Sequence, residues 1–206
     1  MKFYNLKNGK ILVKCARKAI ENYIKYNIKK SSFELEKFKE SFGVFVTIEN
    51  YPNKELRGCI GFPKAVAPLN NMLIEAAIAA ATDDPRFQPL NSKELDKITL
   101  EVNILSEPTI VKKSKNIEDT IKNIKIGRDG LLIQYGYYSG LLLPIVAVEE
   151  QWDEKTFIEN ACLKAGLDIE AWKDPKTKLF KFESQIFKEK QPNGEIYEID
   201  ITSSHK

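Results

Sequence analysis

The chain has 206 residues, 43% of them hydrophobic and 30% charged, with a formal net charge of +3. These are the proportions of an ordinary globule, long enough to bury one sizeable core. No N-terminal apolar stretch carries a cleavage-site pattern, and the longest nearly apolar run, Leu141 to Val148, is far too short to span a bilayer, so a cytoplasmic location is expected.

In chain order, Ile11, Leu12, Cys15, Ala16, Ala19, Ile20, Tyr23 and Ile24 recur at helical spacing and predict an amphipathic helix from about Lys10 to Tyr26. This end of the chain is basic. Residues 1 to 40 hold 11 of the 32 basic and 4 of the 29 acidic side chains. That surplus reads as a solvated helix face, or as a surface for an acidic partner or nucleic acid, although no nucleic-acid motif accompanies it. Ser32 is a candidate cap for a short helix ending near Ser41. Gly43 to Ile48 reads as a strand, Tyr51-Pro52-Asn53-Lys54 as a turn with Asn taking the unusual dihedral, and Leu56 to Phe62 as the returning strand. A helix follows from Pro68 to Thr82. Its alanines permit close approach to another element, and the second strand is the expected one; Asp83-Asp84-Pro85 ends the helix.

Beyond this point, Ile98 to Leu105 predicts a strand, and Ser114 or Asn116 a helix start running to about Asn123. Leu131 to Tyr135 and Gly140 to Leu143 predict a hairpin. Pro144 is expected to end a strand or lie at an edge. Asp153 should cap a helix from Glu154 to Ala165, stopped by Gly166. Strands are expected at Leu179 to Lys188 and Glu195 to Ile199. Hairpins interleaved with helices imply an α+β fold with mostly antiparallel pairing.

The most informative stretch is Leu56-Arg57-Gly58-Cys59-Ile60-Gly61. On a regular strand Arg57, Cys59 and Gly61 share a face, and a guanidinium roughly 6.6 Å from the thiol, two residues along, would favour the thiolate. Cys59 is therefore a candidate nucleophile, Arg57 its activator, and Gly58 and Gly61 candidates for close ligand approach. The competing reading is a tightly packed core strand with an inert thiol.

Leu-Arg-Gly-Cys-Ile-Gly also resembles the hallmark of the AMMECR-one domain family. Gly43-Val44-Phe45-Val46, Asp84-Pro85-Arg86-Phe87, Glu101-Val102-Asn103-Ile104-Leu105, Gly127-Arg128-Asp129-Gly130-Leu131, Leu143-Pro144-Ile145-Val146-Ala147 and Lys164-Ala165-Gly166-Leu167 continue the resemblance over nearly the whole chain. It implies a single domain over residues 1–206, built of a larger and a smaller subdomain with a groove between them, though no sharp boundary is visible in the sequence. Some relatives resemble fusions with Memo-like and radical S-adenosylmethionine domains, which implies partners in the modification of a small molecule or protein. The resemblance implies histidine in many relatives where this chain has Asp129, so chemistry needing an imidazole beside Cys59 is not expected here.

Two other sets are weighed with Cys59. Asp84 and Arg86 form either a clamp for an anionic or amide ligand or an internal ion pair. Asp129 offers a carboxylate, or belongs to a plain glycine turn. Three widely spaced cysteines with no Cys-x-x-Cys pair, and a single histidine, His205, in the polar tail, exclude a disulfide framework, the usual zinc ligand sets and a Cys-His pair in the folded body. No phosphate-binding glycine loop, Ser-His-Asp triad or cofactor motif is evident. The expected functions are a thiol-centred enzyme or modification component of unknown substrate, a non-catalytic adaptor domain, or nucleic-acid binding through residues 1 to 40.

Overall fold

A computed structural model describes residues 3–30, 32–114 and 117–203. In chain order the elements are α1 (Leu6–Tyr26), β1 (Gly43–Asn50), β2 (Leu56–Phe62), α2 (Leu69–Thr82), β3 (Ile98–Leu105), β4 (Thr109–Ile110), α3 (Ile117–Ile121), β5 (Asp129–Tyr135), β6 (Tyr138–Leu142), α4 (Pro144–Glu149), α5 (Glu154–Lys164), β7 (Lys178–Glu189) and β8 (Ile196–Ile199). The fold is α+β, and every pairing whose register is defined is antiparallel. The chain divides into two compact units, a larger one of residues 1–107 and 185–199 and a smaller one of residues 108–184 and 200–206.

In the larger unit the strand order is β2-β1-β3-β7, with β8 on β7. Alternation sends Val44, Val46, Ile48, Leu100, Val102 and Ile104 into a core shared with Leu12, Ala16, Ala19 and Ile20 of α1 and Leu73, Ala76, Ala77 and Ala80 of α2. Helix α1 starts four residues earlier than its apolar stripe suggests, because Asn5 caps it by accepting a hydrogen bond from the Asn8 N–H at 2.9 Å. No helix extends from Ser32 to Ser41; a single 3-10 turn spans Phe33–Leu35, and Ser32 makes no side-chain capping bond. The carbonyls of Phe38 and Glu40 instead accept from the N–H groups of Asn70 and Leu69, so they satisfy the first turn of α2 and are lost to a local helix. In the β1–β2 turn the left-handed residue is Lys54 (φ 58°), not Asn53.

The alanine-rich helix does meet the second strand. A Cβ at Gly58 would stand 2.1 Å from the Ala80 carbonyl oxygen, so only glycine lets β2 lie this close to α2. Gly58→Ala is expected to lower unfolding free energy by about 1 to 3 kcal/mol, as overpacking does, measured by denaturant unfolding. Gly61 is filled similarly by the Phe45 ring, 2.4 Å from its Cβ direction.

In the smaller unit β4-β7-β5-β6 packs on α5 around Leu131, Ile133, Phe157, Ala161, Cys162 and Trp172. Asp153 caps α5 through the Thr156 N–H at 2.7 Å, and Gly166 follows the helix with φ +72°. Pro144 does not end a strand; it opens α4, where its missing N–H is an orphan donor in any case. The short β4 carries no sequence signal. Of the two proposed starts of α3, Asn116 lies outside the described residues, and the helix ends at Ile121, before Asn123. His205 also lies outside them. Among the described residues, no helix is long and apolar enough to cross a membrane.

Candidate functional site

Cys59 lies on β2 opposite Thr47 of β1, which in turn pairs with Glu101 of β3. All three side chains occupy the sheet face turned away from α1 and α2, because their neighbours Gly58, Ile48 and Leu100 point into the helix-covered core. The half-buried Cys59 Sγ is 3.3 Å from Thr47 Oγ1. The polar line continues across the sheet. Lys188 of β7 bonds Glu49 Oε1 at 2.6 Å and lies 3.4 Å from Glu101 Oε2. Burial disfavours the Lys188 charge, but Glu101 and Glu49 outweigh it and hold the ammonium above its ordinary pKa. Two residues along β3, Asn103 is 1% exposed, and neither of its amide atoms has a hydrogen-bond partner among the described residues. A buried amide left in this way costs about 1 to 3 kcal/mol.

The main chain of Cys59 is fixed from the other side. Its N–H donates to Asp84 Oδ2 at 2.8 Å. Arg86 grips the same carboxylate with Nε at 2.9 Å and Nη2 at 2.7 Å, and its backbone N–H donates to Oδ1 at 3.1 Å. Arg86 Nη2 also approaches the Cys59 carbonyl at 3.4 Å. Asp84 and Arg86 are thus an internal ion pair that locks the α2 exit to the cysteine. Arg86 holds the Asp84 carboxyl well below the usual carboxylate range, against burial and with help from the two N–H donors. Asp84 is buried, whereas the Arg86 side chain is 54% exposed, so the pair presents only cation outward.

Arg57, the activator expected from the sequence, is engaged by Glu94. The β1–β2 register slips between Ile48 and Glu49, a bulge that takes Arg57 out of strict alternation with Cys59. Its Nε bonds Glu94 at 2.8 Å, and its guanidinium stands 5.9 Å from the Phe87 ring. Burial makes ionisation of Glu94 harder, but bonds from Arg57 and Asn91 prevail and depress its pKa. The cation acting on the thiol is Arg86. Nor is the thiol held ionised. Burial pushes the Cys59 pKa up; the Thr47 hydrogen bond and Arg86 pull it down, Glu101 and Asp84 push it further up, and the net direction is upward. The glycines serve packing, Gly58 on α2 and Gly61 on Phe45, so their smallness is used by the chain itself. Asp129 belongs to the smaller unit. It is 2% exposed, paired with Arg128 at 2.6 and 2.7 Å, and accepts from the Lys125 N–H at 3.0 Å. Gly127 before it has φ +75°. Thr47, Glu49, Glu94 and Lys188 carry no motif; strand register reveals Thr47, Glu49 and Lys188, and Glu94 is found only through its bond from Arg57.

The AMMECR1 family model matches residues 13–187, a span that holds every residue just described except Lys188, which directly follows it. The chain belongs to the AMMECR1 family. Protein MJ0810 of Methanocaldococcus jannaschii is 47% identical over 200 residues, covering 96% of this chain and 98% of that protein. Protein TK0174 of Thermococcus kodakarensis is 46% identical, with 94% and 97% covered. The crystal structure of the uncharacterized protein PH0010 from Pyrococcus horikoshii matches with a TM-score of 0.85 at 43% identity, over 94% of this chain and 97% of that one. AMMECR1 membership fixes the fold and leaves the substrate unknown, so any activity has to be argued from the site.

Proposed function

We propose that this AMMECR1 protein is a cytoplasmic enzyme, or the reacting component of a modification system, in which Cys59 is the nucleophile and the substrate is a small molecule or protein group bearing an anionic or carbonyl oxygen. The observation that carries the reading is the Thr47–Cys59 hydrogen bond beside an exposed Arg86 cation. The thiol rests protonated. On attack Sγ bonds to the substrate's carbonyl carbon as the C=O π pair moves onto the oxygen, which the outer edge of Arg86 receives, while the thiol proton passes to Thr47 Oγ1 and the hydroxyl's own proton moves toward Glu101, the cross-strand neighbour of Thr47. The unsatisfied Asn103 amide on the same face supports a site built for more than packing. Memo-like and radical S-adenosylmethionine proteins are companions that the family suggests. The packing roles of Gly58 and Gly61 favour a second reading, in which the hexapeptide maintains the fold and the chain acts as an adaptor.

Alkylation of the folded protein, followed by mass spectrometry against pH, separates the two. Cys59 is expected to label with a midpoint above the ordinary thiol value of about 8.5, while Cys15 and Cys162, both buried, stay protected. Arg86→Gln should move the midpoint up and Glu101→Gln should move it down, because one removes a cation and the other an anion acting on the thiol. A Cys59 that reacts only on unfolding, or whose midpoint ignores both substitutions, returns the site to the adaptor reading.

A further inference from the structure

A lysine-rich surface of the larger unit also carries that unit's most exposed aromatic side chain among the described residues. Phe33, on the 3-10 turn after α1, is 83% exposed. It forms a ridge between two hollows. One, about 490 Å³, is lined by Ile11, Phe33, Glu34, Glu36, Lys37 and Lys39. The other, about 380 Å³, is lined by Cys15, Lys18, Ala19, Asn22, Lys30, Ser32 and Phe33. A third hollow of about 470 Å³ adjoins the first through Ile11 and Glu34, and adds Leu6, Lys7, Lys10 and Lys14. Lys7, Lys10 and Lys14 are three and four residues apart on α1, so they form one stripe with steps of about 4.5 and 6 Å along the helix axis.

We propose that this face docks an acidic amphipathic helix of a partner protein. Carboxylates three and four residues apart on such a helix repeat with the same steps as Lys7, Lys10 and Lys14. Its apolar stripe would cover Leu6, Ile11 and Phe33, an exposed aromatic anchor of the kind that dominates helix-in-groove binding. Interleaved charge decides between partner classes. Glu34 lines two of the hollows and Glu36 one. A phosphate backbone, negative at every nucleotide, or an anionic lipid surface meets these glutamates, whereas a peptide can place an apolar or basic residue opposite them.

The test uses the full chain and fluorescence anisotropy. The probe is a labelled 18-residue peptide of glutamate and leucine in helical spacing, with a scrambled peptide of identical composition beside it. The helical peptide is expected to bind, more weakly as salt rises. Phe33→Ala and the pair Lys10→Glu with Lys14→Glu should each weaken it about tenfold, the loss typical of a truncated anchor. The Cys59 alkylation profile should not change, which separates this proposal from the thiol reading. Equal binding of both peptides reduces the face to non-specific charge and overturns the proposal. So does the absence of binding, or tighter binding of a single-stranded oligonucleotide or of phosphatidylserine vesicles than of the helical peptide.

Discussion

Replacing Asp84 with asparagine should lower the unfolding free energy by about 2 to 3 kcal/mol at pH 7. Breaking a fully buried pair costs about 3 to 5 kcal/mol, and the value here is set lower because Arg86 is half exposed to water. Two effects add. Arg86 loses the anion it grips through two nitrogens, and the Cys59 N–H exchanges a charged acceptor for a neutral one. The pH dependence has a definite sign. The Asp84 pKa is depressed in the folded state, so its contribution is complete above the ordinary carboxyl value of about 3.9 and is lost as pH falls further. Urea unfolding of the two proteins should therefore give curves that stand apart at pH 7 and converge below about pH 4. A constant gap down to pH 2 would mean that the carboxylate charge contributes nothing. The substitution also weakens the hold on the β2 backbone at Cys59 and removes an anion acting on the thiol, so the alkylation midpoint should shift in the folded variant.

The helices and strands were legible wherever one periodicity ruled a stretch. The stripe of α1, the alternation of β1 and β3, the Asp153 cap and the Gly166 stop follow from side-chain spacing and local hydrogen bonding, and the structure has them. The misses have tertiary causes. The segment from Ser32 to Ser41 has helix formers, but its Phe38 and Glu40 carbonyls are taken by α2. Pro144 was expected to end a strand or lie at an edge and instead opens α4, where its fixed φ and missing N–H suit a first helical turn. At the candidate site, the sequence points to Cys59, Asp84 and Arg86 through one compact motif and one turn. The pairing of Arg57 with Glu94 was not legible, because a bulge is a property of two paired strands and a single strand read alone keeps strict alternation. Thr47, Glu101 and Lys188 come from three separate strands. Nothing local relates them, and only register places one polar line across the sheet.

The largest stability effect is expected at Arg17. Counted by composition it adds to the basic surplus of the N-terminal region, yet it is 5% exposed and faces inward from α1. Its Nε donates to Glu189 Oε1 at 2.7 Å, and its other nitrogens reach the carbonyls of Leu95 at 3.1 Å and Ile98 at 2.8 Å. Glu189, 3% exposed, also accepts the Leu100 N–H at 3.0 Å. One ion pair thus ties α1 to the ends of β3 and β7. Arg17→Ala strands a buried carboxylate and two carbonyls, and should cost about 3 to 5 kcal/mol, or a fall in Tm of about 2 to 4 °C per kcal/mol in a chain of this size. The double variant Arg17→Met with Glu189→Met removes both charges and keeps apolar volume, so it should recover much of that loss. Calorimetry on the three proteins checks this. If the double variant is as unstable as the single one, the bonds from Arg17 to the Leu95 and Ile98 carbonyls, rather than the ion pair, hold α1 to the sheet.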